Sequence, residues 1–229
     1  MLHIVTPLYR YDLLERVHRS LPPHDDVVWH LAKSARRPPL DQDAVLRDRR
    51  VRVHEIECDD TDIVAKRNAA FAHVTDGYFY LLDDDTICVD EMYRVYREYS
   101  DAGFEGMIVG GSNLNRARRP SIDPALNRLD TGAVICFHAV LRHVSWAWSA
   151  EYARDRLFWS RCFAFYGPER TVVLDRTIAA YNHLGPLVRV RKRVLGWPIA
   201  WDIHRPWIAR AYLLAADARH HARGWAKGR

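Results

Sequence analysis

The sequence predicts an α/β fold on a mainly parallel central sheet. Three observations carry that reading. Apolar runs of strand length recur at 2–7, 27–31, 78–82 and 107–111. Segments with helical spacing and capping residues stand between them, and strand alternating with helix is the pattern of a covered parallel sheet. No stretch approaches the ~18–20 apolar residues that span a bilayer, and no heptad runs through the chain.

In chain order, Leu2–Pro7 is a buried first strand ending at a proline. Asp12, with Glu15 three positions on, has the form of a helix cap, followed by Leu13, Leu14, Val17 and Leu21 at helical spacing. Val27–Leu31 is a second strand, and 34–46, polar and proline-containing, a loop. Val51–Glu57 is an imperfect third strand. Asp62 caps a helix to about Val74, Tyr78–Leu82 is strand four, and Asp90 caps a helix carrying Met92, Tyr93, Tyr96 and Tyr99. Met107–Gly111 is strand five. After it the rhythm changes: a polar, basic loop over 112–128, a strand-like Thr131–Leu141, an aromatic-rich helix over 151–165 and a strand over 171–181. Beyond Val188 come the basic run 189–193, a tryptophan-rich linker and a helix from about 206 to 226.

The chain has 229 residues and a net charge of +5. The charge is uneven. Residues 186–229 hold ten Lys/Arg against two Asp/Glu, +8, whereas residues 1–185 hold 24 against 27, −3. Basicity is thus a property of the tail, and the acidic body argues against a nucleic-acid partner. The reading is of one domain over 1–185 and a basic extension over 186–229. The segment from Met1 lacks the charged and long apolar regions of a signal peptide. Cys58, Cys88, Cys136 and Cys162 form no CxxC pair, as expected of free thiols in a reducing cytoplasm. A tail helix with Trp207 and Trp225, an alanine-rich stripe and basic residues off it suits either the inner face of an anionic membrane, bound peripherally, or the protein's own body.

The sharpest feature is Asp83-Asp84-Asp85, directly after Tyr78-Phe79-Tyr80-Leu81-Leu82. Three adjacent carboxylates at the end of a buried strand repel one another and resist desolvation. A divalent cation relieves both, and Mg²⁺ or Mn²⁺ would leave positions open for phosphate oxygens. Ligands of open α/β sheets bind at the carboxyl ends of the strands, where this triplet falls. The bland alternative is a solvated acidic turn.

The triplet resembles the DxD motif of nucleotide-sugar-dependent glycosyltransferases with the GT-A fold, a Rossmann-like nucleotide-diphospho-sugar transferase fold. Ile4-Val5-Thr6-Pro7-Leu8-Tyr9-Arg10 is similar to the first strand and loop of the family 2 type. Lys66-Arg67-Asn68-Ala69-Ala70 is similar to the helix before the DxD strand in that family, and to the corresponding helix of the animal glucuronyltransferases, whose metal motif is also a triple Asp. Arg154-Asp155-x-Leu157 resembles the segment carrying the catalytic base of inverting members.

The resemblance implies roles. Thr6, Pro7, Tyr9 and Arg10 would line the nucleotide pocket, with Arg67 and Asn68 near ribose and diphosphate. Asp83 would touch ribose, sugar or metal, Asp85 would bind Mn²⁺ or Mg²⁺, Asp84 would lie between them, and His183 would be a last metal ligand. Asp155 would be the general base, with Glu151 one turn earlier its rival, and Asp130 would meet a sugar hydroxyl. Trp146 and Trp148 suit either sugar stacking or core packing. The donor would be a nucleotide sugar on UDP, and the acceptor a glycan, lipid-linked or small-molecule hydroxyl, with inversion at the anomeric carbon. His30-Leu31-Ala32-Lys33-Ser34 lacks the acid that in the family usually ends strand two and reads the base, leaving Asp59, Asp60 or Asp62, or backbone groups, for that task. A nucleotidyltransferase would need a glycine-rich loop after strand one, and 8–12 holds no glycine. A non-catalytic sugar-nucleotide or glycan-binding module is the remaining alternative.

Overall fold

The structure is a computed structural model. It describes residues 1–37, 51–58, 62–113, 116–123, 129–146, 154–180, 192–194 and 197–199. The chain divides into two compact units, Met1–Leu184 and Gly185–Arg229.

The first unit holds strands β1 (Leu2–Pro7), β2 (Val27–Ser34), β3 (Arg52–Cys58), β4 (Tyr78–Leu81), β5 (Ile87–Cys88), β6 (Met107–Ser112), β7 (Val134–Phe137) and β8 (Thr171–Ala180), with helices α1 (Leu14–Ser20), α2 (Ile63–Phe71), α3 (Asp90–Asp101) and α4 (Arg154–Tyr166). The sheet runs β3-β2-β1-β4-β7-β6-β8-β5. Pairs β1–β2, β1–β4, β2–β3 and β6–β8 are parallel, while β4–β7, β6–β7 and β5–β8 are antiparallel. The half that begins the chain is therefore wholly parallel, and the later half mixed.

Both faces of the sheet are covered, so β1, β2, β4 and β6 are buried along their whole length. One face packs Leu2, Ile4, Trp29, Leu31 and Tyr80 under α1 and α3. The other packs Val5, Phe79, Leu81 and Val134 under α2 and α4, with Phe71, Phe158 and Trp159 at its centre. Alternation along β1 and β4 sends neighbouring side chains to opposite cores.

Local differences from the sequence pattern have backbone causes. Asp12 does not cap α1. A 3₁₀ turn over Tyr11–Leu13 leads into the helix, and the Leu13 N–H finds the Arg10 carbonyl. Asp90 is the first residue of α3, not its cap; with Glu91 it faces the positive end of the helix dipole. Asp62 does cap α2, accepting from the Val64 N–H at 3.2 Å. Only Val134–Phe137 of the strand-like 131–141 is extended, where it pairs with β4 and β6; 3₁₀ turns flank it. Gly77, at φ +57°, lets the turn before β4 pass the Met1 carbonyl, which a Cβ would meet at 2.1 Å.

In the second unit Lys192–Val194 and Trp197–Ile199 form an antiparallel pair where the sequence pattern gave a basic run and a linker. The helix expected over 206–226 lies outside the described residues. Among the described residues no helix is long and apolar enough to cross a membrane. Cys88, Cys136 and Cys162 are buried and Cys58 half-buried, all as free thiols.

Candidate active site

The carboxyl ends of β1 and β4 lie side by side, because the two strands pair in parallel from Leu2 with Tyr78 to Val5 with Leu81. The chain leaving β1 and the turn leaving β4 therefore meet. Asp83-Asp84-Asp85 forms that turn, closed by the Thr86 N–H donating to the Asp83 carbonyl at 3.0 Å. A cavity of about 240 Å³ opens there, lined by Pro7, Tyr9, Arg10, Ile63, Asp83, Asp84 and Asp85.

The three carboxylates have separate surroundings. Asp84, 3% exposed, takes backbone N–H groups of Tyr9 and Arg10 on one oxygen at 2.6 and 2.7 Å, and the Arg10 guanidinium on the other at 2.7 Å. Asp85 faces the same Arg10 Nη1 at 2.8 Å. Burial pushes the Asp85 carboxyl above the usual range, against the pull of Arg10 and reinforced by its acidic neighbours. Asp83 turns away, to Arg67 Nη2 at 2.9 Å. Burial raises its pKa too, opposed by Arg67.

Arg67 is the hinge of the site. It is 2% exposed on α2, yet bridges Asp83 and Asp155, the latter from Nη1 at 3.0 Å. Its guanidinium lies 4.2 Å over the Trp146 ring. Burial opposes its charge, but the two carboxylates outweigh burial and raise its pKa. Asp155 keeps a 41% exposed side chain and takes the Thr131 hydroxyl on its other oxygen. Thus α2 ties the acidic turn to α4.

The structure draws together Pro7, Tyr9, Arg10 and the three aspartates, and links Arg67 and Asp155 to them. Other expected residues stand elsewhere. The Thr6 hydroxyl is buried and accepts from Trp29 Nε1 at 2.9 Å. The Asn68 amide is spent on the backbone of Trp146, with two hydrogen bonds of 2.9 Å. Trp146 is buried and stacks on Phe158 at 4.3 Å, so it packs the core. Asp130 accepts from the Ser112 hydroxyl. Glu151, His183, Trp148, Asp59 and Asp60 lie outside the described residues. At the end of β2, Lys33 is buried and reaches Glu57 at 2.9 Å and Glu55 at 3.1 Å.

Sequence reasoning missed Ile63, Lys66 and Thr131. Lys66 places its ammonium 3.5 Å from the Tyr9 ring centre and donates to the Leu8 carbonyl at 2.8 Å, fixing a ring that is 41% exposed. A lysine inside the helix motif was the available signal. Thr131 follows Asp130 directly, and only the 3₁₀ turn decides which of the two reaches Asp155.

A divalent cation would have two oxygens here. Asp84 Oδ1 and Asp85 Oδ2 converge on one cationic nitrogen at 2.7 and 2.8 Å. One or two carboxylates with substrate phosphates is the donor set Mg²⁺ commonly takes, so the residues fit. Among the described residues no group of three or more His, Cys, Asp or Glu is placed to hold a metal ion, so substrate oxygens would have to complete the set.

No family model matches the chain, and no curated protein does. Solved structures do. S. aureus TarS 1–349 is similar at 11% identity and a TM-score of 0.61, over 78% of this chain and 59% of that one. Its complex with UDP-GlcNAc is similar at 13% and 0.63, over 78% and 57%. The complex with UDP stands at 12% and 0.58, over 78% and 59%. The chain thus spans less than three fifths of the TarS 1–349 chains it matches. At such identity the likeness is one of architecture: the chain has the mixed α/β fold of the TarS structures.

Proposed function

We propose that the chain is a metal-dependent glycosyltransferase, moving a sugar from a UDP-sugar to a hydroxyl acceptor with inversion. The observation that carries the reading is the meeting of Tyr9, Arg10 and the Asp83–Asp85 turn around one cavity at the carboxyl edge of β1 and β4. TarS, of the same fold, has been solved with UDP-GlcNAc and with UDP, which favours a uridine nucleotide as carrier.

Asp84 and Asp85 would hold Mn²⁺ or Mg²⁺, with Asp83 behind them and His183 as a further ligand. The ion would supply positive charge against the departing diphosphate. The chain's own part is positioning. Tyr9, steadied by Lys66, offers an exposed aromatic face to the nucleotide, and Arg10 adds a cation at the cavity mouth. Arg67 and Thr131 hold Asp155 by one oxygen each, and each oxygen keeps a lone pair for an acceptor hydroxyl. Asp155 is the proposed general base, with Glu151 as rival.

The test is release of UDP from UDP-GlcNAc with Mn²⁺ by wild type, Asp85→Ala and Asp155→Asn. The reading expects Mn²⁺-dependent release that both variants lose by at least about a hundredfold, the lower range for a general base. Release that is independent of Mn²⁺ in wild type, or unchanged in Asp85→Ala, overturns it.

A further inference from the structure

Arg10 stands where the proposed ion would stand. Its Nη1 sits 2.7 Å from Asp84 Oδ1 and 2.8 Å from Asp85 Oδ2, and so satisfies the two oxygens that converge at the cavity. A guanidinium nitrogen and a divalent ion cannot share that point.

The surroundings let one leave without disturbing the other. Asp84 is held on Oδ2 by the Tyr9 and Arg10 backbone N–H groups, which stay when the side chain moves. Asp85 takes the Thr86 hydroxyl at 3.4 Å on its Oδ1, away from Arg10. The Arg10 side chain is 42% exposed, whereas those of Asp84 and Asp85 are 5% and 11% exposed. The mobile partner is the arginine, and the fixed partners are the carboxylates. Arg10 follows the end of β1 in a short non-helical stretch, with φ −106° and ψ 85°, so no regular element locks its side chain.

We propose that Arg10 is an exchangeable cation: it holds the Asp84–Asp85 pair together in the free protein, and a divalent ion arriving with a nucleoside diphosphate displaces it. The inference rests on the metal-dependent reading above and adds its regulation. The displaced guanidinium stays at the mouth of the cavity, where a diphosphate presents anionic oxygens to it. Arginine pairs with phosphate at least as well as with carboxylate, so the nucleotide draws Arg10 off while the ion takes its place. Ion and nucleotide then bind cooperatively, each raising the affinity for the other by the same factor. The ion alone binds weakly, because it must first displace a bound cation. The exchange also keeps Asp84 and Asp85 compensated before the nucleotide arrives, while Arg67 compensates Asp83.

The experiment is a Mn²⁺ titration of the full chain by calorimetry, with and without UDP, for wild type, Arg10→Gln and Arg10→Lys. Arg10→Gln removes the competing charge and is expected to bind Mn²⁺ alone about tenfold more tightly than wild type. UDP should tighten Mn²⁺ binding in wild type by a larger factor than in Arg10→Gln. Arg10→Lys, which restores a cation, should return towards wild type. A wild-type readout needs no variant: the Arg10 side-chain ¹⁵Nε resonance should move on adding Mg²⁺ with UDP. If wild type binds Mn²⁺ and UDP together but Arg10→Gln binds Mn²⁺ alone no more tightly, or the Nε resonance stays still, the exchange is refuted and the metal reading survives. If no form binds Mn²⁺ even with UDP, both fall.

Discussion

Arg67 is the most exposing residue to remove. Arg67→Leu keeps the bulk on α2 and deletes one charge that serves two carboxylates. The guanidinium side chain is 3% exposed, against 22% for Asp83 and 41% for Asp155. Breaking a buried pair by removing one partner costs about 3–5 kcal/mol. Asp83 retains some water, which lowers that figure to about 2–3 kcal/mol, and the half-exposed Asp155 contributes at most about 1 kcal/mol. The stacking on Trp146 adds up to about 1 kcal/mol, which leucine packing partly returns. The expected loss is about 3 kcal/mol, a large share of the 5–15 kcal/mol of a typical domain. Urea unfolding followed by tryptophan fluorescence measures it, and the double variant Asp83→Asn/Arg67→Leu separates the charge from the packing. The orphaned Asp83 carboxylate is the main source of the loss, so the double variant should recover about half. A loss below about 1 kcal/mol, or no recovery on neutralising Asp83, would refute the view that one buried arginine ties the acidic turn to α4.

Three further outcomes follow from named contacts. Asn68→Ala loses both hydrogen bonds to the Trp146 backbone and should cost about 2 kcal/mol in the same unfolding assay. Gly77→Ala must place a Cβ against the Met1 carbonyl at positive φ, and should lower Tm by several degrees or more in a thermal melt. The third concerns four histidines, one each on β1, β2 and β3 and one just after α2. His3 joins Asp76 to His30 at 2.9 and 2.8 Å, and His54 reaches His30 at 3.3 Å, with the His73 ring beside His54. Burial, with His3, His54 and His73 close by, lowers His30 to about 3. A depressed histidine binds more protons unfolded than folded, so its stabilisation is full above about 6.5 and falls as pH drops towards 3. Between pH 7.5 and 5 this one group should cost about 2 kcal/mol. Urea midpoints across that range should flatten in His30→Gln; an equal slope in wild type and variant contradicts the assignment.

The sheet and its helices were legible because periodicity and capping residues act locally. Asp62 stands as a cap in sequence and in structure. The strand β4 with its three aspartates was legible because an apolar run ending in acids has few physical explanations. The mixed half was harder to read, since a pairing such as the parallel one of β6 with β8 joins residues some sixty positions apart. The division of labour inside the triplet was invisible. Which aspartate faces Arg10 and which faces Arg67 depends on the turn closed by Thr86, not on residue type. Likewise the Lys66-Arg67-Asn68 run marked the right helix turn, yet only packing against Trp146 sends the Asn68 amide to backbone while Arg67 turns to the acids.

The central claim is that the cavity between Pro7–Arg10 and Asp83–Asp85 receives a uridine diphosphate. Amide ¹H–¹⁵N shift mapping during a UDP titration with Mg²⁺ tests it most directly. The backbone N–H groups of Tyr9 and Arg10 already point at Asp84, so both should report any ligand there. The account predicts saturable shifts confined to Tyr9, Arg10, Ile63 and Asp83–Asp85, with Asp155 and Thr131 moving less. Shifts centred elsewhere, or none at millimolar UDP, would contradict it.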